Sequence, residues 1–241
     1  MFSPEGPSVR ELAVQALSSV EHGYDLLAPK FDHTPFRTPD SVLEAVGSAL
    51  RRMGPFDVGL DLCCGTGAGV DVLARVCRRG VTGVDFSAGM LAVAAQHTPP
   101  AGPHVSWVRA DVRALPFGPA FDLVVSFGAF GHFLPGELPG LFGQVRSVLR
   151  PGGCFAFPVV APPRPASRAY WMLLGFDAVM RVRNAVWRPP FVMYYRAFRM
   201  GEVRRELERA GFRVELHALP EFGRRRDGSP RVRMVVARRL P

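Results

Sequence analysis

Three aspartates, Asp61, Asp85 and Asp111, recur at similar intervals, each at or just after the end of a hydrophobic run typical of a buried strand. The carboxyl ends of parallel strands lie at one edge of an open sheet, and ligands bind outside that edge. A carboxylate at the second of these ends can accept hydrogen bonds from both hydroxyls of a ribose, and it repels a phosphate. An acid at a strand end can also simply cap the next helix, but three in order favour a nucleoside site.

A glycine-rich turn follows the first of these aspartates, within the run GLDLCCGTGAG at 59–69. Glycines let a ligand come close to the backbone, and the helix pattern that follows supplies free N–H groups at its N-terminus. A dinucleotide site has the spacing G-x-G-x-x-G, which places a pyrophosphate on that helix. The third glycine here is Gly69, so the G-x-x-G step is missing, and pyrophosphate binding is disfavoured.

The elements that must position this turn alternate between strand and helix patterns. Strands are predicted at 57–62, 81–85, 105–109, 121–127 and 154–160, and helices at 69–79, 88–96 and 138–149. A further helix at 202–210 precedes two strands, 212–219 and 232–238, joined as a hairpin. Repeated strand–helix units predict an α/β fold with a mostly parallel sheet and helices on both faces.

Two helices are predicted before the first strand, because capping boxes stand at 8–11 and 41–44. The segment that joins them, 24–39, contains aromatic residues and prolines, and we expect it to be an ordered loop.

The composition excludes several classes of protein. The 241 residues carry a net charge of +9, but Lys30 is the only lysine, and the arginines accompany much alanine, glycine, proline and valine. This indicates a coding bias, so no nucleic-acid partner is expected.

The four cysteines form no CxxC pair, so we expect reduced thiols and no metal site. We find no signal peptide and no membrane-spanning run, and we expect a cytoplasmic location.

Five motifs in order between residues 57 and 160 resemble those of class I S-adenosylmethionine-dependent methyltransferases. They are LDLCCGTG at 60–67, GVDFSAGML at 83–91, RADVRALPF at 109–117, FDLVVSF at 121–127 and LRPGG at 149–153. The branch that the chain most resembles contains small-molecule enzymes, including the quinone-methylating group. The sequence departs from the family at Cys63, where glycine is usual. The resemblance implies one domain with a three-layer Rossmann-like methyltransferase fold, whose mostly parallel seven-stranded sheet ends in an antiparallel hairpin.

The resemblance also divides the chain into regions. Residues 55–160 would form the cofactor-binding core, preceded by an N-terminal helical region at 1–54 with a lid at 8–40. An aromatic-rich insertion at 161–199 would lie on the substrate side, and residues 200–241 would form the C-terminal helix and hairpin.

The resemblance assigns roles to individual residues toward S-adenosylmethionine. Asp61 and the turn at 65–67 would orient the methionine part, Asp85 would hold the ribose hydroxyls, and Asp111 would accept from the adenine amino group. The other implied cofactor-binding residues are Cys63, Gly65, Thr66, Gly67, Phe86, Met90, Val112, Ser126 and Phe127.

Transfer of a methyl group from a sulfonium is an in-line displacement, which needs a base only if the acceptor keeps its proton. His132 lies five residues after Phe127 and is the candidate base, although a histidine there can also merely shape the loop. The predicted substrate-side residues are His33, Tyr170, Trp171, Tyr194 and Tyr195.

The insertion contains a helix pattern that is almost wholly apolar apart from a polar stripe of Asp177, Arg181, Asn184 and Arg188 and the neighbouring Arg183. Such a helix packs on the domain, lines a hydrophobic pocket or lies in a membrane surface, and the sequence leaves these three environments open.

We predict methyl transfer to a small, aromatic or hydrophobic acceptor, with oxygen as the favoured atom. The first alternative is an RNA or protein methyltransferase, but the fourth strand is followed by SFGA at 126–129 rather than by an Asn-Pro-Pro-Tyr-type element. The second alternative is a cofactor-binding regulatory protein without transferase activity.

Overall fold

The computed structural model describes residues 5–97, 102–165, 167–195 and 199–241. Its helices are α1 (Val9–Leu17), α2 (Val20–Leu27), α3 (Asp40–Met53), α4 (Ala68–Ala74), α5 (Ala88–Gln96), α6 (Leu138–Val148), α7 (Arg168–Val186) and α8 (Met200–Arg209). Its strands are β1 (Phe56–Leu62), β2 (Cys77–Asp85), β3 (His104–Arg109), β4 (Phe121–Val125), β5 (Leu149–Val160), β6 (Phe212–Ala218) and β7 (Val232–Arg239). Short 3₁₀ helices lie at Ala28–His33, Ala129–His132, Pro135–Glu137 and Pro220–Phe222.

The strands of the described residues form a seven-stranded sheet in the order β3-β2-β1-β4-β5-β7-β6. The first five strands of the chain run parallel, and β7 is antiparallel to both β5 and β6. The predicted α/β fold with its C-terminal antiparallel hairpin is therefore confirmed. The strand order reverses between β1 and β4, so a crevice for a ligand opens at their carboxyl ends.

Apolar side chains cover both faces of the sheet, which explains why the central strands are nearly continuous hydrophobic runs. On one face, Leu123 of β4 belongs to a buried cluster with Leu50 of α3. On the other face, Val124 of the same strand belongs to a cluster with Phe142 of α6 and Leu207 of α8. All five side chains are fully buried, and these two layers fix the strand ends that carry the aspartates.

Several predicted element boundaries are wrong, and β5, for example, begins at Leu149 rather than at Cys154. The helix α4 ends at Ala74, and β2 begins at Cys77 rather than at Val81. Cys77 pairs with Phe56 in the sheet, and its sulfur packs on Gly59, where an added Cβ would lie 2.8 Å from it. The apolar residues that follow the glycine turn at helical spacing therefore include Cys77, which belongs to the next strand rather than to the helix.

The segment predicted as an ordered loop between the first two helices is largely helical. It contains the second half of α2 and the 3₁₀ helix Ala28–His33. Ser19 caps α2, because its hydroxyl accepts the backbone N–H of His22 at 3.1 Å. Residues 8–40, which we call the lid, thus consist of three short helical pieces and the turn that leads into α3. None of the described helices combines the length and the apolar composition that a bilayer crossing requires.

Candidate functional site

A cavity of about 630 Å³ lies at the carboxyl ends of the parallel strands. One part of its wall comes from the strand ends, with Cys63, Gly65, Asp85, Phe86, Met90, Asp111, Val112 and Phe127. The other part comes from the lid, the loop after β4 and the segment 190–195, with Tyr24, Phe31, Phe36, Phe130, His132, Phe133, Met193, Tyr194 and Tyr195. We call the part of the wall that carries Asp85 and Asp111 the acidic end of the cavity, and the part that carries these aromatic side chains the aromatic end.

Asp85 joins the glycine turn to the start of α5. One carboxylate oxygen accepts the backbone N–H of Gly65, and the other accepts that of Ser87, both at 2.9 Å. Burial raises the pKa of Asp85, and the two backbone hydrogen bonds counteract that effect. A carboxylate has about four acceptor positions, so Asp85 keeps acceptor capacity toward the cavity.

Cys63 is a non-glycine residue with a left-handed backbone, at φ 54°. That conformation costs a residue with a side chain about 1–2 kcal/mol, which explains why glycine suits this position. Burial raises the pKa of the Cys63 thiol well above its usual range, and the nearby Asp85 and Asp61 add to the rise. The thiol on the cavity wall is therefore protonated and does not act as a nucleophile.

Asp61 lies behind the glycine turn rather than on the cavity wall. An added Cβ at Gly69 would stand 2.3 Å from a carboxylate oxygen of Asp61, so this position of the turn requires glycine. The other oxygen, Oδ1, is buried and has no hydrogen-bond partner among the described residues. Burial raises the pKa of Asp61, and Asp85 adds to the rise. A cation at the turn would offset both effects.

Asp111 is half-exposed at the end of the cavity wall. Its Oδ1 accepts the backbone N–H of Arg113 at 2.9 Å and lies 3.3 Å from the guanidinium of the same residue. The guanidinium also donates to Glu137 at 2.8 Å and lies over the ring of Phe133. Asp111 is thus held in place while part of its carboxylate stays accessible.

His132 and Tyr24 form a hydrogen-bonded pair between the loop after β4 and the lid. Nδ1 of His132 lies 2.8 Å from the carbonyl oxygen of Val192, which can only accept, so Nδ1 carries the proton. Nε2 is then the acceptor for the Tyr24 hydroxyl, also at 2.8 Å. Burial lowers the pKa of His132 and raises that of Tyr24, so both side chains are neutral.

Comparison with known proteins decides the family. A family model described as a methyltransferase domain matches residues 60–153. A 2-phytyl-1,4-naphtoquinone methyltransferase of Nostoc punctiforme is 32% identical over 176 residues, which cover 67% of this chain and 74% of that protein. The chain belongs to the class I S-adenosylmethionine-dependent methyltransferases.

Other relatives of this methyltransferase match shorter segments. A protein of the same name from Trichormus variabilis is 39% identical over 106 residues, which span 40% of this chain and less than half, 44%, of that protein. The structure of the DhpI–SAH complex shares the fold with a TM-score of 0.67 at 20% identity, and the match covers 97% of this chain and 100% of that one.

The acidic end of the cavity fits S-adenosylmethionine, the cofactor of the family. Asp85 offers buried acceptor positions suited to ribose hydroxyls, and the carboxylates of Asp85 and Asp111 would repel a phosphate. Asp61 is not on the wall, but its buried carboxyl group behind the turn would favour a ligand that brings positive charge to the turn, at a distance rather than by contact. Among the other implied cofactor residues, Cys63, Gly65, Phe86, Met90, Val112 and Phe127 lie on the wall.

Besides Asp61, three implied cofactor residues are not on the cavity wall. The hydroxyl of Thr66 donates to Asp32 of the lid at 2.7 Å, and the hydroxyl of Ser126 donates to the carbonyl of Leu62 at 3.1 Å. Gly67 faces away, since an added Cβ there would lie 2.9 Å from the ring of Trp107. These residues shape the turn and the end of β4 of the methyltransferase from behind.

Three of the predicted substrate-side residues are also absent from the wall, which corrects the expectation. His33 lies at the surface, 3.3 Å from the carboxylate of Glu5. Tyr170 and Trp171 stack edge to face on the first turn of α7, and Trp171 is largely exposed. His33, Tyr170 and Trp171 do not reach the cavity, whereas Tyr194 and Tyr195 lie on its wall.

Contacts of the lid with the core were missed by the sequence analysis. Asp25 accepts the hydroxyl of Ser87 at 2.6 Å and the N–H of Gly89 at 2.8 Å, so it helps to cap α5. Glu21, one helical turn earlier on α2, forms an ion pair with Arg109 at 2.6 Å. The spacing of Glu21 and Asp25, four residues apart, indicated that the two acids share one face of a helix. No local pattern identified the residues that they contact in the core. Together with Tyr24, they hold the lid of the methyltransferase over the cavity.

The stability of the protein should depend on pH through His132. Burial lowers the pKa of His132 below its ordinary value of 6.5, so unfolding takes up a proton between the two pKa values. The contribution of the buried neutral imidazole to the free energy of unfolding is fully present above about pH 6.5 and is lost as the pH falls below that value. His132→Gln should remove this dependence, because glutamine can still donate to Val192 and accept from Tyr24.

Urea unfolding at about pH 7.5 and about pH 5.5 measures this effect. Between these two pH values we expect the free energy of unfolding of the wild type to fall by up to about 1.4 kcal/mol more than that of the variant. Equal losses in the two proteins would contradict a buried, neutral imidazole.

Proposed function

We propose that this protein transfers a methyl group from S-adenosylmethionine to a small aromatic or hydrophobic acceptor that carries an ionisable hydroxyl group. The observation that carries this proposal is the continuous cavity, with Asp85 and Asp111 at one end and the rings of Tyr24, Phe130 and Tyr194 at the other. A ligand with hydroxyl and amino groups suits the first end, and a flat apolar ligand suits the second.

The residues at the acidic end would hold the cofactor, which supplies a methyl group already activated on a sulfonium. Asp85 would accept from the ribose hydroxyls, Asp111 would accept from the adenine amino group, and the N–H of Val112 would donate to the ring. Phe86 and Met90 would pack on the adenine, and Asp61 with the glycine turn would orient the methionine part. Positioning of this kind can contribute roughly 7–11 kcal/mol to lowering a barrier.

The aromatic end of the cavity favours an acceptor that is itself aromatic or hydrophobic. Phe31 and Phe36 come from the lid, Phe130 and Phe133 come from the loop after β4, and Tyr194 comes from the insertion. The lid contacts described above would exclude water when both ligands are bound. The Nostoc punctiforme relative is named for a naphthoquinone with a phytyl chain, which is an aromatic, lipid-like compound. We propose this chemical class for the acceptor of the present chain.

The pair of Tyr24 and His132 provides a path for the acceptor's proton. The Tyr24 oxygen can accept a proton from an acceptor hydroxyl while its own proton passes to Nε2 of His132. Nδ1–H keeps its hydrogen bond to the Val192 carbonyl throughout, which stabilises the imidazolium formed. The deprotonated acceptor oxygen is then the favoured nucleophile. We thus assign His132 to proton removal through Tyr24 rather than by direct contact.

A screen with a labelled methyl donor tests this function. The protein is incubated with methyl-labelled S-adenosylmethionine and separate fractions of solvent-extractable small molecules, RNA and protein. We expect label in the small-molecule fraction, in a product whose carbon spectrum contains a methoxy signal. A signal from a methyl group bound to an aromatic ring would instead show that a ring carbon receives the methyl group. Label in RNA or protein would contradict the proposed acceptor class. Cofactor binding without any transfer would favour a regulatory protein.

A cytoplasmic location remains part of the proposal. The four cysteines are all free thiols, as expected in a reducing compartment.

A further inference from the structure

Helix α7 turns two of its polar side chains, Asp177 and Asn184, toward the protein beside Met180, and it leaves a row of large apolar side chains exposed to solvent. Asp177 is buried and accepts the backbone N–H of Tyr195 at 2.9 Å. Asn184 accepts the N–H of Phe191 at 2.8 Å and donates to the hydroxyl of Tyr194 at 2.9 Å. These hydrogen bonds fix the rotation of the helix about its axis, so its outward face is set by the fold.

The outward face of α7 is a stripe of large apolar residues at helical spacing. The exposed fractions are 60% for Trp171, 68% for Met172, 65% for Val179, 63% for Val182 and 78% for Val186. We call this set of five residues the outer stripe. Contiguous exposed apolar surface of this kind marks a site of contact with another apolar surface.

The apolar surface continues from α7 onto the lid. The indole N–H of Trp187, directly after α7, donates to the carbonyl of Leu17 at the end of α1 at 3.0 Å. Trp187 and Leu17 are themselves about half exposed. Arg183 reinforces this junction, because its guanidinium donates to the carbonyls of Ala16 and Ser18 at 2.8 and 3.0 Å. The outer stripe is therefore attached to the lid at its C-terminal end.

Exposed arginines lie before the outer stripe, at its start and after it, namely Arg164, Arg168 and Arg188. Residues 161–199 contain seven arginines and a single acid, Asp177, which α7 turns inward. Arg164, just before α7, shares a surface cavity with Arg225, Arg226 and Arg231. An apolar helix face flanked by arginines matches a bilayer with anionic head groups, which takes up both the apolar side chains and the positive charge.

We propose that the outer stripe of α7 docks this protein on the surface of an anionic lipid bilayer. The helix, roughly 28 Å long, would lie in the plane of the interface. A second copy of the chain is a poorer occupant, because two such arginine-rich surfaces repel each other. The inward face of α7 holds the segment 191–195, which lines the aromatic end of the cavity, so docking would bring that end close to the lipid. The proposal does not depend on methyl transfer.

Flotation with lipid vesicles tests this proposal on the full chain. The probes are vesicles of phosphatidylcholine alone and of phosphatidylcholine with phosphatidylglycerol. We expect binding to the anionic vesicles that weakens with salt, and at least a tenfold loss of that binding in the double variant Val179→Glu with Val182→Glu. The matched control is the double variant Leu216→Glu with Leu240→Glu, which makes the same charge change at exposed residues outside the insertion. It should lose far less of the binding to anionic vesicles.

A second readout uses the tryptophans. Trp171 and Trp187 are exposed, so brominated acyl chains should quench the emission of the wild type, and less that of Trp171→Phe, in which Trp187 remains the exposed tryptophan at this surface. The proposal is overturned if the wild type does not bind anionic vesicles or if both double variants bind as the wild type does. It is also overturned if light scattering detects a dimer that the glutamates at 179 and 182 dissociate, because the stripe would then belong to a second copy.

Discussion

Replacing Asp85 with alanine is expected to weaken the binding of S-adenosylmethionine and S-adenosylhomocysteine by about 100-fold. A hydrogen bond to a charged group contributes about 1.5–3 kcal/mol, and tenfold in affinity corresponds to about 1.4 kcal/mol. The variant loses the acceptor for the ribose hydroxyls and also the carboxylate that fixes the N–H groups of Gly65 and Ser87. Isothermal titration calorimetry with S-adenosylhomocysteine measures the change, and Asp85→Asn should fall between the two proteins.

Asp122 offers a matched control for this experiment. Its carboxylate also accepts two backbone N–H groups, those of Asp57 and Val58, but it is not on the cavity wall. Asp122→Ala should lower the melting temperature without changing the affinity for the cofactor. If the two alanine variants lost affinity equally, general destabilisation would explain the loss, and Asp85 would have no specific role.

Replacing Tyr24 with phenylalanine is expected to lower kcat by about 100- to 1,000-fold at nearly unchanged cofactor affinity. General acid–base catalysis typically contributes factors in this range. The variant keeps the ring, which packs on His132 and Phe191, and removes only the hydroxyl that donates to Nε2. Tyr195→Phe is the control, because Tyr195 lines the same cavity and its hydroxyl contacts only the sulfur of Met193 among the hydrogen bonds described.

A double variant distinguishes a proton path from a lid contact. If Tyr24 and His132 act as one unit, Tyr24→Phe combined with His132→Gln should be no slower than the slower single variant. Additive losses in kcat would show that the residues act separately. Weaker cofactor binding in Tyr24→Phe, with an unchanged kcat, would assign the hydroxyl to holding the lid.

The parts of the site that the sequence could predict are those that the order of the strands brings together. Asp85 and Asp111 were recognisable because each follows a hydrophobic strand, and parallel strands in sequence must end at the same edge of the sheet. Asp61 belongs to the same series, yet it lies behind the turn, since whether a side chain points into the cavity depends on the pleat of its own strand.

The contacts of the lid could not be predicted, because they join residues far apart in the chain. Tyr24 meets His132 across 108 positions, and Asp25 meets Ser87 across 62. No local pattern encodes such a pair. The helix α7 illustrates a related limit, because periodicity revealed a polar stripe containing Asp177 and Asn184 but not which side faces the protein. An expectation that polar residues face solvent would have rotated this helix the wrong way.

Calorimetric titration of the wild-type protein with S-adenosylhomocysteine, beside a parallel titration with NAD⁺, tests most directly whether the cavity is an adenosyl cofactor site. We predict saturable one-to-one binding of S-adenosylhomocysteine, about 100-fold weaker in Asp85→Ala and unchanged in Asp122→Ala, and no measurable binding of NAD⁺. Binding of NAD⁺ in preference to S-adenosylhomocysteine, or retention of full affinity in Asp85→Ala, would contradict the assignment of the acidic end of the cavity.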